Sequence, residues 1–379
     1  MIISSLRTAA FRNLEDSLIL TDSENIFLVG ENGQGKTNFL EALYFCVYAS
    51  SFRGARDGEI AKNDGPESEK RDFSSAITVK EKGGPDNLSG EILVKYEKGK
   101  KTVFTGGKKV EDRKDLLSLA PCIVFCHEDM EFVAGSPERR RWFFDQVLCL
   151  YDSVYLDDLR RYKRALKSRN SVLRGYACSG RDGEPLLDAL DQQCAQYGAK
   201  LIEKRETAAR LFSEVFAPLY REVAGIPGIS VQYRPSWKGG GEEALGCLRK
   251  RRSQDIAAGL SLCGPHRDRY LFIHNGGDFS ARASTGQRRL LALLLRAAQA
   301  RRFSGITGKN PVLLLDDVLL EMDGEKRRRF LSVLPARDQA FYTFLPEEPF
   351  ERRLGSLGFD VGGALVYRVR DGRLEAERQ

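Results

Sequence analysis

Gly30-Glu31-Asn32-Gly33-Gln34-Gly35-Lys36-Thr37 carries the spacing G-x-x-x-x-G-K-[ST] of a nucleotide-phosphate loop. Ahead of it, Asn25 to Val29 predicts a buried strand. Behind it, Thr37 to Tyr48 places Phe39, Leu40, Leu43, Tyr44 and Val47 on one helical face. Strand, glycine loop and helix are the context the motif needs, because the loop's N–H groups and the helix N-terminus must converge on one polyphosphate. In that context Lys36 is expected to reach the β- and γ-phosphates and Thr37 to hold a magnesium ion.

The chain of 379 residues is long enough for two or three domains, and its 42% hydrophobic residues suffice for a sizeable core. No stretch is apolar for long enough to cross a bilayer, and MIISSLRTAAFRN at the start lacks the apolar run of a secretory signal, so a cytoplasmic protein with no membrane partner is expected. Eight cysteines form no C-x-x-C pair and only three histidines are present, which disfavours zinc and predicts reduced thiols. The formal charge of +7 is modest, but cations cluster at Arg139–Arg141, Arg160 to Arg164, Arg249–Arg252, Arg288-Arg289 and Lys326–Arg329. Such clusters suggest a polyanionic partner held through its phosphates, against the plainer reading of solvated helix faces.

Outward from the loop, residues 2–10 and 17–20 predict two short strands, and 50–72 a surface loop. AITVK, GEILVKY and KTVFT, separated by glycine-rich turns between residues 73 and 110, predict an antiparallel meander. Pro121 to Phe125 reads as a buried strand, and Ser136-Pro137 as the cap and first residue of a helix. From there to about Ala224 long helical patterns dominate, broken only between Gly175 and Glu184. Ile229 to Tyr233 returns to strand, Glu242 to Gly259 predicts one basic helix, and Leu260–Leu262 with Tyr270–His274 predicts a hairpin. Gln287 to Phe303 predicts a buried helix, and Pro311–Leu315, Ala340–Phe344 and Ala364–Val369 further strands. The expected class is α/β: a P-loop ATPase head with a mixed sheet and an antiparallel meander, formed by residues 1–135 and 255–379, and an inserted helical arm at 136–254.

Val312-Leu313-Leu314-Leu315-Asp316-Asp317 is an apolar strand ending in two carboxylates. At the end of a sheet strand, Asp316 can hold the magnesium through water, and Asp317 stands where a base orients the attacking water. Hydrophobic strands ending in Asp are common; the phosphate loop gives this one its meaning. Ser284-Thr285-Gly286-Gln287 opens the buried helix and makes a second anion-binding terminus, beyond a plain N-cap. Two such termini separated by a helical insertion suit a protein in which the serine of one subunit clamps the γ-phosphate of another.

Taken together these residues resemble the RecF family, bacterial recombination mediator ATPases related to SMC-type and ABC-type heads. The resemblance rests on G-E-N-G-Q-G-K-T-N-F-L-E-A at Gly30–Ala42, S-F-R at Ser51–Arg53, V-F-x-x-E-D-M at Val124–Met130, G-S-P-x-R-R-R at Gly135–Arg141, S-R-N at Ser168–Asn170, G-P-H-R-D at Gly264–Asp268, S-x-G-Q at Ser284–Gln287 and L-L-L-D-D-V-L at Leu313–Leu319. These span nearly the whole chain in the right order.

The resemblance implies an ATP-dependent homodimer that binds single-stranded and gapped double-stranded DNA, works with RecR and RecO, and helps load RecA in DNA repair and replication. It also implies slow DNA-stimulated ATP hydrolysis, with ATP and Mg2+ as cofactors. It makes Gly30, Glu31, Asn32, Gly33, Gln34, Gly35, Lys36 and Thr37 the Walker A loop. Ser284, Gly286 and Gln287 become a signature motif acting in trans, and Asp316 the Walker B magnesium ligand. Asp317 replaces the glutamate of many ABC-type heads, and its shorter reach implies slow turnover. Thr343 falls near the position of the transporters' switch histidine. The stretch at Gly264 departs from the family in placing Arg269 after Asp268, and His127 stands in place of proline.

The alternatives are the nucleotide-binding subunit of an ABC transporter or another SMC-like head. The first calls for a compact signature region and a surface that couples to a membrane partner, the second for a long heptad-repeat insertion. The arm predicted here is long and basic for the one and short for the other.

Overall fold

A computed structural model describes residues 1–62, 72–82, 90–112, 114–117, 119–179, 184–319, 322–346 and 363–377. In chain order the first elements are β1 (Ile2–Ala9), β2 (Ser17–Leu20), β3 (Asn25–Val29), α1 (Lys36–Tyr48), β4 (Phe73–Lys80), β5 (Gly90–Glu97), β6 (Lys100–Thr105), β7 (Lys108–Lys109), α2 (Lys114–Leu117) and β8 (Cys122–Phe125). Next come α3 (Glu131–Ala134), α4 (Pro137–Cys149), α5 (Ser153–Ser179), α6 (Glu184–Ala224), β9 (Ser230–Arg234), α7 (Gly241–Lys250), α8 (Arg252–Ala258), β10 (Arg269–His274), β11 (Gly277–Asp278) and α9 (Phe279–Arg282). The chain ends with α10 (Thr285–Thr307), β12 (Val312–Leu315), α11 (Gly324–Val333), β13 (Ala340–Phe344), β14 (Leu365–Arg370) and β15 (Arg373–Ala376). Two compact units result, residues 1–129 with 300–379, and residues 130–299.

The first unit has two sheets. One is the antiparallel meander, in the order β2-β1-β4-β5-β6-β7; the other is mostly parallel, in the order β15-β14-β3-β13-β12-β8. Helix α1 lies among them and is buried on more than the single face its apolar spacing predicts, with Phe39 to Val47 all inaccessible. On one side Phe39 meets Phe341 of β13 at 6.1 Å, and on the other Phe45 meets Phe11 at 5.9 Å and Phe73 at 5.5 Å. A helix buried on all sides is what packing between two sheets demands, and the phosphate loop is attached at its N-terminus.

The parallel order also explains the nucleotide strands. β3 pairs with β13 on one side and β14 on the other, and β13 in turn pairs with β12. The strand ahead of the phosphate loop and the strand ending in Asp316 are therefore separated by β13, which brings Thr343 to their common end.

The second unit carries the long helices α5 and α6 and a small antiparallel sheet in the order β11-β10-β9. β10 pairs with β9, Tyr270 opposite Tyr233, so residues 255–299 cluster with the arm; the units divide at 129/130 and 299/300, where the sequence predicts 135/136 and 254/255. Leu260–Leu262 forms no strand, contrary to expectation. Its backbone is engaged by side chains: Asn170 Oδ1 accepts from Ser261 N at 2.8 Å, and Asp255 Oδ1 from Leu262 N at 3.0 Å. The single basic helix expected over 242–259 is two, broken at Arg251. Ser136 is the N-cap of α4 by position, with Pro137 at the first turn, but its side chain makes no capping bond.

Two buried arginines organise the arm interior. Arg169, fully inaccessible, donates to Asp191 at 2.6 Å and Asp255 at 2.7 Å. Arg205 donates to Asp145 at 2.8 Å, to Asp268 Oδ2 at 2.9 Å and to the Pro265 carbonyl at 2.7 Å. Removing one partner of such a pair strands a buried charge, at about 3–5 kcal/mol.

Candidate nucleotide site

The phosphate loop leaves β3 at Gly30, where a Cβ would lie 2.4 Å from the Val369 carbonyl of β14, so only glycine fits. Gly35 caps α1 with φ of 117°, open to glycine and strained for any L side chain. Behind the loop, Asn13 Nδ2 donates to Gly33 O at 3.3 Å, Asn38 Nδ2 to Asn13 Oδ1 at 2.7 Å, and Arg53 Nη1 to Asn38 Oδ1 at 3.1 Å. Arg12 makes a two-pronged contact with the fully buried Glu41 of α1, both bonds 3.0 Å, and Ser51 donates to the same carboxylate. Gln34 is fixed from the other edge by the backbone N–H groups of Asp371 and Gly372. Of this support Gln34, Asn38 and Glu41 fall in the quoted motif Gly30–Ala42 and Ser51 and Arg53 in S-F-R, whereas Arg12, Asn13, Asp371 and Gly372 carried no signal in the sequence.

Lys36 is buried, and its ammonium donates to Gly30 O at 2.6 Å and Glu31 O at 3.1 Å, across the mouth of the loop. Thr37 Oγ1 donates to Asp316 Oδ1 at 3.0 Å. A hydroxyl and a carboxylate oxygen side by side, next to a phosphate-binding loop, form a hard-oxygen pair that suits Mg2+. No cluster of three or more His, Cys, Asp or Glu that could hold a metal occurs among the described residues, so the phosphates and water would complete the coordination sphere.

Thr343 lies at the centre of the acidic end. Its Oγ1 accepts from Asp317 N at 2.7 Å and faces Asp317 Oδ1 at 2.8 Å and Asp316 Oδ1 at 3.1 Å. Asp317 has φ of 52°, the left-handed region that costs a non-glycine residue free energy, and the Thr343 bonds hold it there. Burial, then the adjacent Asp317 carboxylate, push Asp316 up to about 6, against the hydrogen bonds from Thr37 and Thr343. A carboxyl kept partly protonated without a cation is the state a bound divalent ion would reverse.

In the second unit Ser284, Thr285 and Gly286 are exposed and Gln287 half-buried at the start of α10. Ser284 and Gln287 form a reciprocal cap: Gln287 Oε1 accepts from Ser284 N at 2.9 Å and Ser284 Oγ from Gln287 N at 3.3 Å. With Ser284, Thr285 and Gly286 exposed, the first N–H groups of the helix lack intrahelical partners at an accessible terminus. His266 is structural. Its Nε2 lies 3.0 Å from Ser261 O and must donate there, so Nδ1, 2.7 Å from the Tyr162 hydroxyl, accepts.

Burial pushes His266 down to about 4 from its ordinary 6.5, so the unfolded chain binds the extra proton between those values. Stability from this group is complete above pH 6.5 and is lost as pH falls towards 4. Going from pH 7 to 5 should cost about 1–2 kcal/mol, allowing for its part exposure, and the wild-type difference from His266→Gln in urea melts at the two pH values checks it.

The basic clusters divide. Arg140 turns inward to the Val133 and Tyr270 carbonyls and Ser280, Arg141 to the Asp268 carbonyl, and Arg252 to Asp188 and Asp191. Arg161, Lys163, Arg164 and Lys167 on α5, and Arg249, Lys250 and Arg251 at the end of α7, are exposed. No helix among the described residues is long and apolar enough to cross a membrane.

A model of the RecF/RecN/SMC N terminal domain matches residues 2–352. The DNA replication and repair protein RecF of Treponema pallidum (strain Nichols) is 41% identical over 343 residues, 90% of this chain and 94% of that relative. RecF of Bacillus pumilus (strain SAFR-032) is 30% identical over 386 residues, 99% of this chain and 100% of that one. A solved structure of the recombination mediator protein RecF-ATP in the RecFOR pathway superposes with a TM-score of 0.87 at 27% identity, over 99% of this chain and 97% of the other. An Smc head domain from Pyrococcus furiosus, TM-score 0.53 at 15% identity over 99% and 95%, shares the fold, an ABC/SMC-type ATPase head.

Proposed function

This chain belongs to the RecF family of DNA replication and repair proteins, and on that premise we propose that it is an ATP-dependent DNA-binding recombination mediator of the cytoplasm. The observation that carries the reading is the contact of Thr37 with Asp316 beside the phosphate loop, 279 residues apart in sequence and 3.0 Å apart in space. On nucleotide binding Lys36 exchanges its two carbonyl partners for the β- and γ-phosphates, and the loop N–H groups take the remaining phosphate oxygens. Mg2+ held by Thr37 and Asp316 would neutralise charge on the β- and γ-phosphates.

Ser284, Gly286 and Gln287 of a second copy close over the γ-phosphate, so ATP serves as the latch of a homodimer. Asp317, held by Thr343, orients water as general base, and its short side chain keeps turnover slow. Hydrolysis, stimulated by DNA, reopens the dimer. The exposed cations of α5 and α7 meet DNA phosphates at gaps and single-strand junctions, and RecR and RecO are the expected protein partners in loading RecA.

Sedimentation of the purified chain with and without ATP and gapped DNA tests this directly. The expected result is a monomer alone, a dimer with ATP, and a larger DNA complex with both. DNA affinity should fall roughly 10²–10³-fold between 50 and 200 mM salt if about four to six phosphates are contacted. Binding that is undetectable or indifferent to salt in the presence of ATP would count against the reading.

A further inference from the structure

Two thiols that take no part in the nucleotide site face each other in the arm. Cys247 on α7 and Cys263, in the segment after α8, bring their Sγ atoms to 3.6 Å. Cys263 is 3% exposed and Cys247 half-buried, so an oxidant reaches the pair from the Cys247 side. Cys46 and Cys122 in the other unit are wholly buried and make an internal comparison.

We propose that Cys247 and Cys263 form an oxidisable dithiol, a modification site at which a hydroperoxide closes a disulfide between α7 and the segment leading to Gly264. The Cys247 sulfur attacks one peroxide oxygen, the O–O bond breaks, and sulfenic acid and one water result. The Cys263 sulfur then attacks the sulfenyl sulfur, the S–O bond breaks, and a second water leaves. In sum two thiols and one H2O2 give one disulfide and two H2O. The sulfurs must close by about 1.5 Å to reach bonding distance, a side-chain movement.

The second step rests on proximity rather than on acidity of the attacking thiol. Burial first, and Cys247 next, push the Cys263 thiol up to about 12, but the charge of Arg251 acts the other way. Arg251 lies one helical turn beyond Cys247, its N–H bonded to the Cys247 carbonyl at 3.2 Å. Cys263 is anchored through its neighbour Gly264, whose N–H donates to Ser236 Oγ at 2.6 Å. The closed loop would contain the exposed run Arg249–Arg251 and all of α8, so oxidation braces a cationic surface of the arm.

The test treats the intact chain with hydrogen peroxide, unfolds and alkylates it, and maps tryptic peptides. Peptide 239–249 linked to peptide 253–267 is expected, with two alkylated cysteines lost and Cys46 and Cys122 fully alkylated. Cys247→Ser should abolish the link and leave Cys263 alkylated. Diamide, which joins thiols without a sulfenic acid, should give the same link in the wild type. Sulfinic acid on Cys247 without a link under peroxide overturns the proposal, as does full alkylation of both residues under the two oxidants. Hydrogen exchange across residues 248–262 should slow on oxidation; an unchanged rate overturns the bracing.

Discussion

Replacing Lys36 by methionine is expected to lower affinity for ATP by about 100-fold or more while leaving the chain folded. The Lys36 ammonium spans the mouth of the loop, bonded to Gly30 O and Glu31 O. Phosphate takes over charge-assisted bonds worth about 1.5–3 kcal/mol each, and methionine keeps the length of the side chain but supplies none of them. Losing a buried charge along with its bonds to two carbonyls is a modest change for the apo chain, so thermal unfolding without nucleotide should move little. Calorimetric titration with Mg-ATP checks the affinity. Retained micromolar binding would remove Lys36, and with it the phosphate loop, from the site.

Ser284→Arg is expected to separate binding from association. The residue lies on the exposed start of α10, where its side chain is engaged by the backbone N–H of Gln287. ATP affinity should stay within about twofold of the parent. The serine cap is lost, costing about 1 kcal/mol, which leaves the arm folded. A long side chain at the point where a second copy's γ-phosphate must approach the helix N-terminus should weaken nucleotide-induced dimers by about 3 kcal/mol, or 100-fold. Ser284→Ala, which removes the hydroxyl without adding bulk, should fall between. Sedimentation with Mg-ATP reads all three proteins, and a Ser284→Arg chain that dimerises like its parent would end the idea of a clamp acting in trans.

What could be read from the sequence was what is local. The loop Gly30–Thr37 is eight contiguous residues flanked by its own strand and helix, and Val312–Asp317 declares itself by composition, so both elements were legible without coordinates. The dependence of each on distant residues was not. Nothing in the sequence near Thr343 says that its hydroxyl meets both Asp316 and Asp317, because that follows from β13 pairing between β3 and β12. The exclusion of a Cβ at Gly30 comes from Val369, 339 positions away by the numbering.

The arm misled for a related reason. Alternating apolar residues at 260–262 resemble a strand, yet Asn170 and Asp255 take the backbone N–H groups that a ladder would need. Basic runs likewise suggested surface charge, whereas Arg140 and Arg141 point inward and the buried Arg169 and Arg205 stood in no quoted run of cations. Helix α11 has no counterpart among the expected elements, although Asp323, whose side chain accepts from Lys326 N at 2.9 Å, is an ordinary N-cap signal.

The position of β13 and β14 on either flank of β3 fixes the order in which the pocket can be assembled during translation. Asn25 to Val29 and the glycine loop leave the ribosome well before their sheet neighbours, residues 340–344 and 365–370, have been made. A nascent chain of 330 residues carries every motif from Gly30 to Asp317 and still lacks both strands that hold the loop in place. Closing so long a loop is slow, and until residue 370 has been made the growing polypeptide has no formed pocket through which to engage nucleotide.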